Sequence, residues 1–295
     1  MANTKISALT ADTAPTVDDL VPTVTDPAGT PANRKVTLSA LYAAGRGVEY
    51  ISVKDHGAVG DGATSDLVAF KAAVAAAIAA DKPLYVPPGT YLLTFLDSTG
   101  NRYLDVTGDL RIFGAGRNQT VIKCGPETPT FIYYGFEVGT GVKFQLEDLE
   151  LRGPADDGAA GDGNLATVGV HIQTNLTGVS STVNITRVLI SQEFFTGIQA
   201  DSGGATAVGE VWCELRDVEI NAAAQCVAFF GADAGRKTFH AFDCYFHDAG
   251  IASPETGAPY GHLVYIHPHL DFHFERCRFD NSVRWGLHVL SLIHI

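Results

Sequence analysis

One eight-residue pattern recurs through the second half of this 295-residue chain, and it limits the fold more than any other feature. FQLEDLEL (144–151), VNITRVLI (183–190), CELRDVEI (213–220), FHAFDCYF (239–246) and FHFERCRF (272–279) all carry apolar residues at the first, third, sixth and eighth places. Alternation with period two marks a strand with one face turned inward. Between the third and sixth places the step is three, so the alternation slips by one. The chain must therefore turn a corner near the fifth place, which holds Asp, Arg, Asp, Asp and Arg in turn. A weaker copy, GDLRIFG (108–114), is read with Asp109 at the fifth place. The fifth-place residues recur every 26 to 39 positions, as coils with loops of varied length require.

A further apolar strand follows most octets: VGVHI (168–172), TGIQA (196–200), QCVAF (225–229), HLVYI (262–266) and WGLHV (285–289). Three strands per turn make a parallel β-helix, and parallel crossovers strongly favour the right hand. The expected fold is all-β, a right-handed parallel β-helix (a solenoid with three strands per coil). Cys244 and Cys277 share the sixth place with Leu149, Val188 and Val218, and are read as core rather than chemistry.

The segment before the coils, VKDHGAVGDGATSDLVAFKAAVAAA (53–77), has the look of a phosphate-binding loop. Its glycines at 57, 60 and 62 fall as G-x-x-G-x-G, however, not the G-x-G-x-x-G of a dinucleotide site, and no G-K-[ST] follows. Thr64, Ser65 and Asp66 instead read as N-cap residues. Leu67, Phe70, Val74 and Ile78 then form one helical stripe among alanines. PLYVPPGTYLL (83–93) reads as strand, tight turn, strand. The whole is a cap with an α-helix, followed by a first coil.

Thirty-three acidic against 20 basic residues give a formal charge of −13, which argues against a nucleic-acid binder. The first ten residues lack the apolar run of a signal peptide, and the stretch 69–80 is too short to insert in a membrane. Five cysteines with no C-x-x-C pair point to free thiols rather than zinc or disulfides. No cofactor is expected.

With the cap and coils in place, DHGAVGDGATSDLVAFKAAVAAA and LYVPPGTYLL resemble the opening of pectate-lyase-like, right-handed β-helix proteins, a superfamily that includes polygalacturonases, rhamnogalacturonases and bacteriophage tailspike depolymerases. The usual paired aspartates after the glycines are here Ser65-Asp66. The first 45 residues, rich in Thr, Ala and Pro and containing TKIS and DLVP, resemble the virion-attachment segment of phage tail fibres and tailspikes. That resemblance implies a small N-terminal phage attachment segment (1–45) ahead of the cap (46–93) and coils (94–290), a homotrimer, residence in the virion after synthesis in the host cytoplasm, and a bacterial capsular or lipopolysaccharide glycan as partner. The last coil, with no cap after WGLHVL, is read as truncated, and SLIHI (291–295) as foreign.

Gripping or cutting a glycan takes carboxylates, bases and flat rings on an exposed face. Gridding the last three coils stacks Glu214, His240 and His273 in one outward column, Glu219, Tyr245 and Arg278 in a second, and Asn221, His247 and Asp280 in a third. Glu214, Glu219 and Asp280 are the candidate catalytic carboxylates for hydrolysis. His240, Tyr245, His247, His273 and Arg278 are the candidate substrate-binding residues, and the histidines with Arg278 also suit elimination. HPHLDFHFE (267–275) spreads its ligands about 6.7 Å apart along one strand, too far for a single ion. RGPADDGAAGDGN (152–164) lacks the spacing of a calcium loop. The sequence thus points to a phage tailspike-like protein that binds a bacterial surface polysaccharide, with hydrolysis or β-elimination as its open chemistry. A non-catalytic adhesin or structural tail protein, and a free microbial lyase or hydrolase, are the rivals.

Overall fold

A computed structural model describes residues 20–25, 32–37, 50–94, 102–125, 133–153, 167–174, 176, 178–191, 194, 196–201, 209–221, 225–229, 236–249, 262–266, 270–282 and 287–289. The chain divides into two units, Met1–Glu49 and Tyr50–Ile295. In the first, Leu20–Thr25 pairs antiparallel with Ala32–Thr37, on the β-prone pieces DLVPTV and RKVTLSAL.

The second unit is a parallel β-helix. Its seven-stranded sheet collects Arg102–Val106, Tyr133–Val138, Thr167–Gln173, Thr196–Asp201, Gln225–Phe229, His262–Ile266 and Leu287–Val289, in sequence order. The other two strands of each coil form a bent 14-stranded sheet. The bend falls where the octet slips. Asp148, Arg187, Asp217, Asp243 and Arg276 take φ of 57°, 53°, 51°, 57° and 53°, a left-handed step that turns the chain without breaking the stack. Aspartate tolerates this region, whereas arginine does so at a cost of about 1 kcal/mol. Each arginine leans on the aspartate one coil back: Arg187 clasps Asp148 at 2.6 and 2.7 Å, and Arg276 clasps Asp243 at 2.6 and 2.9 Å.

The weaker copy of the octet is shifted from its expected register. Leu110 pairs with Phe144 and Ile112 with Leu146, so Gly114, not Asp109, stands at the corner. A Cβ at Gly114 would lie 2.4 Å from the Asp148 carbonyl oxygen, which excludes the polar residue other coils carry there. Asp109 instead accepts the Lys143 amide at 2.8 Å. Residues 115–119 are inserted before the second strand, Thr120–Cys124, so the corner and the apolar pair beyond it are not contiguous.

Inside, Leu149, Val188, Val218 and Cys244 are buried in one column and Cys277 is half-buried beneath them. Burial pushes the Cys213 thiol far up and the Cys244 thiol to about 12, as inert core thiols should be.

The opening loop closes the first coil. Helix α1 (Leu67–Ala80) buries Leu67, Phe70 and Val74 with Ala69, Ala73 and Ala77 between them, and Ile78 packs at the margin. A Cβ on Gly108 would come 2.6 Å from Ile78, so the helix lies close on the coil it covers. Asp66 is the N-cap residue, yet its carboxylate turns away from the helix to accept the amides of Val59 at 2.6 Å and Gly60 at 3.1 Å. Asp61 likewise accepts the amides of Ala63 and Thr64, and the Thr64 amide above all holds its carboxyl below the usual range. The amides a phosphate would need are occupied by the chain's own carboxylates. Beneath them Tyr91, its phenol raised to about 12 by burial, donates to the Pro87 carbonyl.

Candidate active site

The outer face of the seven-stranded sheet has an unusual spacing. Gly135, Gly169 and Gly197 turn toward the coil interior, as do Phe136, Val170 and Ile198 next to them. A Cβ at Gly197 would meet Ile220 of the core at 2.6 Å, and the Cys226 thiol in the same row donates to the Ile220 carbonyl at 3.3 Å. Two inward residues in succession make positions three apart, rather than two, emerge together outside. Tyr134 shows it: its ring lies on that of His171, centroids 4.1 Å apart and planes 13° from parallel. The rings of His262 and Tyr265, three apart on one strand, approach to 5.7 Å. Val168 and Ala228 occupy these outward rows and are buried without joining the core.

Two outward rows result, fixed by the ladder register. One runs Tyr134, Val168, Thr196, Gln225, His262. The other runs Asp105, Glu137, His171, Gln199, Ala228, Tyr265.

At the centre of the second row sits His171, 4% exposed, beside Glu137, 3% exposed. Its Nδ1 lies 3.7 Å from Glu137 Oε1, and its Nε2 lies 3.2 Å from Asp201 Oδ1. Neither ring nitrogen is aligned to close a hydrogen bond there. The carboxylates are held by neighbouring amides: Gln173 Nε2 donates to Glu137, and Gln199 Nε2 donates to Asp201. An imidazole between two carboxylates, with a phenol ring stacked on it, brings together groups that can exchange protons.

The sequence reading passed over this cluster. The strands at 168–172 and 196–200 were expected, but Tyr133–Val138, which carries Glu137, was not, and the TVGVHIQ stretch reads as continuous apolar chain because the outward residues fall at a spacing of three. The recurring signal is a glycine at one place in three coils, followed two residues later by Glu137, His171 and Gln199.

The residues gridded from the sequence fall in the expected columns. Glu214, His240 and His273 are in register, as are Glu219, Tyr245 and Arg278, and Asn221, His247 and Asp280. The left-handed corner separates the first column from the other two. Before the corner, Glu214 pairs with Arg216 at 2.6 Å, and His240 meets Trp212 at 4.9 Å and His273 at 5.7 Å between ring centroids. After it, His247 is pinned by Asp248 at 2.6 Å and Glu219 at 3.2 Å, with Tyr245 stacked on it at 4.1 Å. His247 and Asn281 hold the Asp248 carboxyl below the usual range. Tyr245 donates to Asp280 at 3.2 Å, and Arg278 lies over the Tyr245 ring while pairing with Asp280. Each of the three gridded carboxylates thus has a basic partner. Of the histidine-rich strand, Asp271 pairs with Arg236 at 2.7 Å, while His267 and His269 lie outside the described residues, as does most of the acidic loop 152–164 and all of SLIHI.

Residues 50–252 match the family described as rhamnogalacturonase A/epimerase, pectate lyase-like. The chain belongs to that family. Among curated proteins, this family member is 40% identical to mannuronan C5-epimerase AlgE2 of Azotobacter vinelandii over 113 residues, 36% of this chain and 11% of that protein. It is 42% identical to alginate lyase 7 of the same organism over 77 residues, 26% of this chain and 9% of that protein. The chain thus matches about a tenth of the length of either relative. Among solved structures, ORF18 of Geobacillus virus E2 superposes with a TM-score of 0.44 at 16% identity, over 88% of this chain and 56% of that chain.

Proposed function

We propose that this protein binds and cleaves a bacterial surface polysaccharide at the outer face of the seven-stranded sheet. The observation that carries the reading is the cluster of buried Glu137 and His171 with partly exposed Asp201. Paired carboxylates are the machinery of glycoside hydrolysis, one delivering a proton to the leaving oxygen and the other drawing a proton from water, and here the pair is joined by the His171 imidazole. His171 lies between them, and the Gln173 and Gln199 amides donate to the two carboxylates.

A second reading rests on the local identity with a C5-epimerase and an alginate lyase. Both names imply chemistry at a uronate, and there His171 would take the proton beside the ring, with Tyr134 returning one. The resemblance of the N-terminal segment to phage attachment segments supports reading the protein as a phage tail component, and trimer formation and a capsular or lipopolysaccharide target belong to that reading.

The test is to incubate the protein with capsular and lipopolysaccharide glycans and follow polymer length by size exclusion, recording the ultraviolet absorbance of unsaturated uronates in parallel. Shortening without new absorbance supports hydrolysis, and shortening with it supports elimination. Retention without shortening leaves an adhesin. Deleting residues 1–45 should abolish incorporation into phage particles and spare glycan activity. Incorporation of the deleted protein would refute the attachment role.

A further inference from the structure

The outer side of the strands before the corner carries rings where a solvated sheet would carry polar side chains. Glu210–Arg216, Lys237–Phe242 and Leu270–Glu275 lie side by side in register. Val211, Cys213 and Leu215 belong to the core, so Trp212, Glu214 and Arg216 face out. By register they are followed by Thr238, His240 and Phe242, then by Asp271, His273 and Glu275. Four rings meet there. His240 lies 4.9 Å from Trp212, 5.7 Å from His273 and 6.2 Å from Phe242 between centroids, and Phe242 lies 5.5 Å from His273. Trp212 is 43% exposed, His273 is exposed, and His240 and Phe242 are half-buried. Charges at the margin are paired with one another: Arg216 with Glu214 at 2.6 Å while lying over Phe242, and Arg236 with Asp271 at 2.7 Å.

A single exposed ring is ordinary, whereas a contiguous exposed patch marks an interaction surface. Its size selects the partner. An aromatic side chain buries about 150–250 Å², and these four are already partly covered. Together they fall short of the roughly 800 Å² that each partner gives to a stable protein interface. That area suits a ligand a few rings long. The negative face of an aromatic ring attracts positively polarised hydrogens, and a pyranose with equatorial hydroxyls presents a face of C–H bonds. We propose that Trp212, His240, Phe242 and His273 form a second, non-catalytic carbohydrate site, which holds pyranose rings of the polymer on a different sheet from Glu137, His171 and Asp201. The inference rests on the proposed function in taking the same polymer as occupant.

The experiment uses the full chain, with the capsular and lipopolysaccharide glycans of the depolymerisation assay as probes. The chain has two tryptophans, so Trp285→Phe leaves Trp212 as the single emitter. Its emission should change saturably with the glycan that the wild type shortens or retains. Trp212→Ala should weaken retardation in native gels cast with that glycan by about 2- to 10-fold, while Trp212→Phe, which keeps a ring, should retain most of it. Both variants should melt within about 2 °C of the wild type, because the side chain they alter is exposed. Unchanged retardation of Trp212→Ala, or emission unmoved by a glycan that the wild type shortens, overturns the second site and leaves the proposed function standing. A lower oligomeric mass of Trp212→Ala in sedimentation, with retardation unchanged, assigns the patch to a second copy of the chain and overturns the site equally. Neither retardation nor shortening of any glycan by the wild type overturns both.

Discussion

The corner of each coil makes a quantitative test of why this sequence folds as it does. Arg187 sits at φ 53°, and its guanidinium clasps Asp148 of the preceding coil at 2.6 and 2.7 Å. Three effects compete when it is replaced. Glycine relieves a left-handed strain of about 1 kcal/mol. It forfeits a half-exposed ion pair worth roughly 0.2–1 kcal/mol, and it loosens the unfolded chain by about 0.5–1 kcal/mol. These nearly cancel, so Arg187→Gly should change stability by less than about 1 kcal/mol. Arg187→Val forfeits the same pair and places a β-branched side chain in the left-handed region, for a loss of about 2 kcal/mol or more. In a unit of this size each kcal/mol moves the melting temperature by about 2–4 °C. Calorimetry should therefore find Arg187→Gly within about 3 °C of the wild type and Arg187→Val at least about 4 °C below it. The pair is screened at about 1 M salt, where only the backbone difference between the variants should remain. If Arg187→Val melts with the wild type, the left-handed corner is wrong. If glycine falls as far as valine, the ion pair and not the backbone governs the site.

Other consequences follow from the cap and the carboxylates. A Cβ at Gly60, where φ is 67°, would lie 2.7 Å from Tyr91 Cε1, and that ring is backed edge-on by Phe70 at 5.4 Å. Gly60→Ala should lower the melting temperature by several degrees and expose the opening segment to limited proteolysis, whereas full resistance would refute the packing. Asp61, Asp243 and Asp248 all have carboxyls lowered from 3.8, by the Thr64 amide, by Arg276 and by His247 respectively. A lowered carboxyl stabilises the fold above its unfolded value and loses that contribution as pH falls through the folded one. Stability should be flat above about pH 5 and fall below about pH 4, and the fall should shrink in the Asp61→Asn, Asp248→Asn double variant. An unchanged acid limb in that variant would contradict the assignment.

Particular residues explain which parts of this molecule could be read in advance. The corners were legible because apolar side chains can stay inside only if the chain turns where the alternation slips, and five octets slip at the same place. The copy at 108–114 was misplaced by register because its corner residue is glycine and the insertion 115–119 separates it from the second half. Stacked outward columns were legible because parallel pairing in register is the only arrangement a solenoid allows, and Glu219, Tyr245 and Arg278 line up as the grid required. Glu137, His171 and Asp201 were not legible. The inward glycines at 135, 169 and 197 change the outward spacing from two to three, and a strand pattern read with period two takes the whole segment for core. Burial of Glu137 and His171 depends on how successive coils stack in space, which no local pattern encodes.

The central claim is that chemistry lives on the outer face of the seven-stranded sheet rather than on the faces flanking the corner. The most direct measurement is the rate of glycan shortening by full-length Glu137→Gln, beside a Glu214→Gln, Glu219→Gln, Asp280→Asn triple variant, on whichever polysaccharide the wild type degrades. A catalytic carboxylate replaced by its amide loses on the order of 10²-fold or more in rate. The account predicts that loss for Glu137→Gln, with the triple variant within a few-fold of the wild type. Wild-type activity in Glu137→Gln together with an inactive triple variant would contradict it and return the site to Glu214, Glu219 and Asp280.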